Sequence, residues 1–249
     1  MRRFPPARHA TPLLAAIGCA AAAAACGGSS VEPKAPKAPT SANDASNEPK
    51  RDRPAILYDL GDVAPDVARQ NFERLTPTWT ACYDKGHTAN ATLGGSLTFT
   101  LRTNHDGSVK WAYLKDADLG DREVERCVLD SVRASNWGAP VDAKEGEIRG
   151  KTIGWTNDED EPVSVDSGRV TPALSRAHGG VMACRRKAGA NGKIRATFYV
   201  GPKGKPLSVG FAVDDASGEA AADCLHDVLM GLTYVNPSQQ VTKTTVELP

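Results

Sequence analysis

The chain lacks most of what an enzyme or a nucleic-acid binder needs. It holds no Cys-x-x-Cys pair, no Gly-x-Ser-x-Gly elbow, no phosphate loop and no dinucleotide fingerprint. Its five histidines, His9, His87, His105, His178 and His226, follow no zinc spacing. The acidic run DEDE at 158–161 lacks the spaced acids and glycine of a calcium loop, and reads as a solvated linker. Catalytic, metal and cofactor residues are therefore assigned nowhere. Net charge is lacking too: 30 basic residues face 30 acidic ones, which argues against nucleic acid as a partner.

What is present begins with an export signal. Residues 1–25 open with three arginines, continue as a Leu/Ala-rich run too short for a stable span, and end in small residues before Cys26. This is the pattern of a lipoprotein signal, with Cys26 as the lipidated residue and Cys19, after Ala16, Ile17 and Gly18, as the alternative. Acyl chains would tether the protein to a membrane surface without crossing it. Removing residues 1–25 takes away Arg2, Arg3 and Arg8, so 27 basic residues are left against 30 acidic ones. Residues 26–54, rich in Pro, Ala, Ser and Lys, form a solvated spacer.

The remainder carries an internal echo. CVLDSVRASNWGAP from Cys127 returns 97 residues later as CLHDVLMGLTYVNP from Cys224, and the same offset aligns Thr100 with Thr197, Gly107 with Gly204, Asp118 with Asp215, Asp130 with Asp227, and Trp137 with Tyr234. One module used twice is expected: residues 55–156, an acidic linker at 157–163, and a divergent second module at 164–249. Within each, the pattern predicts helix, strand, strand, helix, strand, an α+β module whose short antiparallel sheet carries both helices on one face. Thr76-Pro77 and Thr171-Pro172 are expected to start the first helix of each copy. Turns are expected at His105 to Gly107 and Gly201 to Gly204, and an apolar stripe through Val124, Cys127, Val128 and Ser131 on the second helix.

Four cysteines remain in the exported part, and three pairings are possible. The duplication selects Cys82 with Cys127 and Cys184 with Cys224, so that both copies obey one rule. Outward positions of the first hairpin, Thr98, Thr100, Arg102, Trp111 and Tyr113, form a candidate aromatic-polar binding surface unless that face packs against the second copy or the phase is shifted by one and Trp111 belongs to the core.

The order Cys82-Tyr83, strand, Gly107 turn, strand, Cys127-Val128, Trp137 and Pro140 resembles the AgmX/PglI C-terminal domain of myxobacterial gliding-motility and other envelope proteins, similar in layout to the TonB C-terminal domain. The likeness spans about 65–155 well and 165–249 less well, where Arg185 follows Cys184 and the loop is shorter. It implies a non-enzymatic interaction module at the periplasmic face or outer membrane, binding an envelope protein. The rival class is a secreted hydrolase or redox enzyme with a site between the copies, which would need titratable residues converging there.

Overall fold

The computed structural model describes residues 60–249, apart from 143, 158, 159 and 237. Cys19, Cys26 and the spacer lie outside the described residues. Chain order is β1 (Leu60–Asp62), α1 (Pro65–Ala89), β2 (Gly95–Asn104), β3 (Val109–Ala117), α2 (Arg122–Arg133) and β4 (Glu145–Trp155). The second half runs β5 (Val163–Ser164), a 3-10 turn at Ser167–Arg169, α3 (Thr171–Ala188), β6 (Ile194–Val200), β7 (Pro206–Val213), α4 (Ala216–Met230) and β8 (Thr242–Glu247). The protein is α+β, with four helices and two four-stranded mixed sheets among the described residues.

The sheets share one strand order, β1-β4-β2-β3 and β5-β8-β6-β7. Hairpins β2–β3 and β6–β7 are antiparallel, and the last strand of each half pairs antiparallel with the first strand of its hairpin. The reading of purely antiparallel three-stranded sheets is corrected: β1 and β5 add a short parallel edge strand beside β4 and β8. Leu97, Phe99 and Leu101 are fully buried under α1 and α2, and Ile194, Ala196 and Phe198 are fully buried in the second half. Alternation of two residues in the strands and three to four in the helices builds both cores.

Helix α1 starts twelve residues before the expected Thr76-Pro77, at Pro65, whose fixed φ and missing N–H suit a first turn. Pro77 sits inside the helix. It deprives the Glu73 carbonyl of its helical donor, while the neighbouring Thr76 hydroxyl donates to Phe72 O at 2.8 Å. Helix α3 begins at Thr171 with Pro172 in its first turn, and Val170 rather than Thr171 stands at the cap. On α2 the buried stripe is Val124, Glu125, Val128, Leu129 and Val132; Cys127 is exposed and Ser131 half-buried, so the expected stripe was rotated.

The recurring glycine and aromatic have a shared geometry. Trp137 N donates to Gly107 O at 2.8 Å, and Tyr234 N to Gly204 O at 2.7 Å. Trp137 Nε1 donates to Val132 O and Tyr234 Oη to Leu229 O, both at 2.9 Å and both five residues back. Each aromatic thus pins a hairpin turn to the end of the helix that precedes it. The glycines have φ of +79° and +74°, and a Cβ on Gly204 would lie 2.2 Å from Tyr234 O, so the clasp requires glycine at the turn.

Candidate interaction surfaces

The disulfides close as expected: Cys82–Cys127 with Cα atoms 5.9 Å apart and Cys184–Cys224 with Cα atoms 5.6 Å apart. Each joins the two helices of one half across 45 or 40 residues of chain. In the chain-entropy picture that is roughly 4 kcal/mol per bridge. The bridges differ in surroundings. Cys82 and Cys184 are buried, but Cys127 is exposed while Cys224 is half-buried.

On the outer face of the first sheet, Trp111 stacks on Tyr113 with ring centroids 5.4 Å apart, and the Arg102 guanidinium lies over the Trp111 ring at 5.1 Å. Arg102 also reaches Glu145 and Glu147, each at 3.4 Å; Lys110 pairs with Glu145, and Arg149 with Glu147 at 2.7 Å. Hydrogen bonding from Lys110 holds the Glu145 carboxyl below the usual range, and Arg149 does the same for Glu147. Thr98 pairs with Thr152 through their hydroxyls at 2.8 Å. The five candidate residues share one face, yet Thr100 is buried and Tyr113 packs on the second half's core. Along that face the polar groups are paired with one another, and at Tyr113 it packs against the second half, the alternative stated for this face. Trp111→Ala should cost roughly 1–2 kcal/mol in denaturant titration, well below the loss for a fully buried tryptophan.

The inner edges of the sheets, β3 and β7, pack side by side without pairing. Side chains of α2 occupy the seam: Glu125 accepts from Phe211 N on β7 at 2.9 Å, and Arg133 donates to Ala112 O on β3 at 3.0 Å. Arg122 is 4% exposed and donates to Glu219 at 2.9 Å and Asp223 at 2.8 Å across the seam. Burial opposes its charge, but the Glu219 carboxylate wins and holds the guanidinium above its ordinary range. Glu125 is fully buried, and desolvation pushes its carboxyl up to about 8 against the lowering pull of Arg122. Titratable groups do converge between the halves, and Glu125 among them has no surface open to solvent. Tyr199 of β6 completes the first core; its hydroxyl donates to Gly94 O at 2.8 Å and accepts from Gly94 N at 3.1 Å, and burial raises its phenol to about 12. Sequence reasoning missed Glu125 and Arg122, although both fall on the helical stripe with Leu129 and Val132.

The outer edges are incompletely covered. β1 pairs only with Glu145–Glu147 of β4, and beyond it the strand carries exposed Arg149, Gly150 and Lys151 around an irregularity opposite Phe99 and Leu101. Such charges and bulges discourage a further strand. β5 pairs only with Thr242 and Lys243 of β8, whose remaining ladder to β6 is regular. Lys243 O accepts from Val165 N at 3.1 Å on the outer side, so alternation turns the backbone groups of Thr245 and Glu247 outward as well. Beside them a cleft of about 390 Å³ runs between β8 and α3, bounded by Leu174, His178, Val246 and Leu248.

His87 packs on the Tyr83 ring, and among the described residues no three His, Cys, Asp or Glu side chains are grouped to hold a metal ion. No described helix is long and apolar enough to cross a membrane. Compared with protein-family models, curated proteins and solved structures, the chain matches none.

Proposed function

We propose that this protein is a lipid-anchored, non-enzymatic component of the cell envelope, tethered through Cys26 or Cys19. Its two disulfide-locked copies of one module would hold an extended segment of an envelope protein, in a motility or transport machine. Two features support the reading: the lipoprotein-type signal with its polar spacer, and two bridges of the kind that form in oxidising compartments. The observation that carries it is the open edge of β8. Outward backbone groups at Thr245 and Glu247 lie beside the α3 cleft, so an incoming strand gains main-chain hydrogen bonds and a pocket for alternate side chains.

Thr245→Pro tests this, since proline deletes an outward N–H while leaving the ladder to β6. Thr245→Val is its control, because both variants lose the hydroxyl contact with Thr197 at 2.9 Å. In affinity capture from envelope extracts, the wild type and Thr245→Val should retain one polypeptide that slows hydrogen exchange at the Thr245 and Glu247 amides. Thr245→Pro should retain at most a tenth as much, the equivalent of about 1.4 kcal/mol. Equal capture by all three, or a captured chain that leaves those amides unprotected, rejects strand addition.

A further inference from the structure

Between the halves runs a groove of about 490 Å³, walled by α1 and α2 on one side and by Leu207 of β7 and Met230 of α4 on the other. Both sulfurs of the first bridge belong to residues lining it, Cys82 and Cys127. The second bridge borders none of the described cavities.

Thiol–disulfide exchange requires a thiolate to reach one sulfur and the other to leave. Cys127 is exposed at the groove, whereas Cys82 is 4% exposed, so approach is open at one end of the bridge only. Lys85 lies one helical turn beyond Cys82 and lines the same groove. The acids around Cys127 are engaged elsewhere: Glu123 with Arg126 at 2.7 Å, Asp130 with Arg133 at 3.2 Å, and Asp121 in capping α2 through Val124 N at 3.0 Å. Positive charge lining the groove, from Lys85 together with Arg122 and Arg126 of α2, favours release of the departing sulfur as thiolate, with His226 of α4 the titratable group on the facing wall.

We propose that Cys82–Cys127 is a thiol-exchange site, at which a small thiol enters the groove, attacks Cys127 and displaces Cys82, while Cys184–Cys224 stays closed. The thiol gives up its proton and its sulfur bonds to the Cys127 sulfur. The bond between Cys127 and Cys82 breaks, and its electron pair leaves on Cys82. A second molecule of thiol then attacks the mixed disulfide and frees Cys127, so that two thiols are oxidised to one disulfide and the bridge is reduced to two thiols. With the bridge open, α1 and α2 of the first half lose their covalent tie and the second half keeps its own.

The test treats the folded protein with 2-mercaptoethanol, quenches with acid at intervals, alkylates, and maps peptides by mass. Expected is a mixed disulfide on Cys127 with a free thiol on Cys82, formed on the order of tenfold faster than any adduct on the second bridge. Leu207→Trp narrows the groove at an exposed position and should slow the reaction. Lys85→Gln should slow it too and shift the pH profile of alkylation of the released Cys82 upward. Equal rates for the two bridges, a first adduct on Cys82, or indifference of the rate to Leu207→Trp overturns the assignment.

Discussion

Glu125→Gln will melt several degrees above the wild type at pH 8 and level with it at pH 4. The buried carboxyl has its folded-state pKa raised to about 8 from an ordinary 4.5, because desolvation disfavours its charge more than Arg122 and the Phe211 amide favour it. Below the ordinary value both folded and unfolded chains carry the proton, and stability is complete. As pH climbs toward 8 only the unfolded chain releases it, and stability falls by roughly 1 kcal/mol per pH unit. Above that the folded carboxyl ionises as well, and the loss levels off. Glutamine keeps the volume and the oxygen that accepts from Phe211 but cannot ionise, so the difference between variant and wild type should grow across this window. Calorimetric scans at several pH values measure it, and two parallel curves would refute the buried, neutral carboxyl. The groups facing Glu125 are Arg122 and Asp121 at the start of α2 and Glu219 on α4; a charged carboxylate released among two acids and one arginine would loosen the seam.

Trp137→Ala is expected to remove about 3–5 kcal/mol, a fall near 10 °C in melting temperature for a protein of this size. The indole is fully buried, with its centroid 5.1 Å from Phe72 and 6.4 Å from Phe99. Truncation leaves a cavity between α1 and the sheet and removes the indole N–H from Val132 O, which keeps the Ser135 amide as a donor at 3.2 Å. Trp137→Phe separates the two contributions: it restores most of the volume but not the N–H, and should recover more than half of the loss. A midpoint in denaturant unchanged by Trp137→Ala would remove the aromatic clasp from the account of how each hairpin is held.

Much of this was legible in the residues. Alternating Leu97, Phe99 and Leu101 set the register of β2, and the pairing of cysteines followed from giving both halves one rule. The short edge strands were not, because three and two residues pairing in parallel with partners some eighty residues onward leave no local period. Pro77 misled about α1 because first-turn and interior prolines look alike without knowledge of the flanking turns. For the outer face of the first sheet the residues gave the phase but left open whether it was exposed or packed against the second half. Tyr113 is covered by the other half and Arg102 by acids from β4, and neither neighbour is near in sequence. Glu125 illustrates the general reason: a carboxylate on an apolar stripe reads as an error until the β7 amide that it satisfies is in view.

Arg122 and Glu219 are 97 residues apart, the sequence offset that aligns Gly107 with Gly204 and Cys127 with Cys224, so the pair joins two positions that correspond in that alignment. A joint between corresponding positions is nearly self-reciprocal, and such joints let identical units assemble with themselves. Here the two sides carry opposite signs. First half against first half would oppose guanidiniums, second against second would oppose carboxylates, and only the mixed combination neutralises both. In this chain Arg122 and Glu219 are spent on each other, both of them buried at the seam.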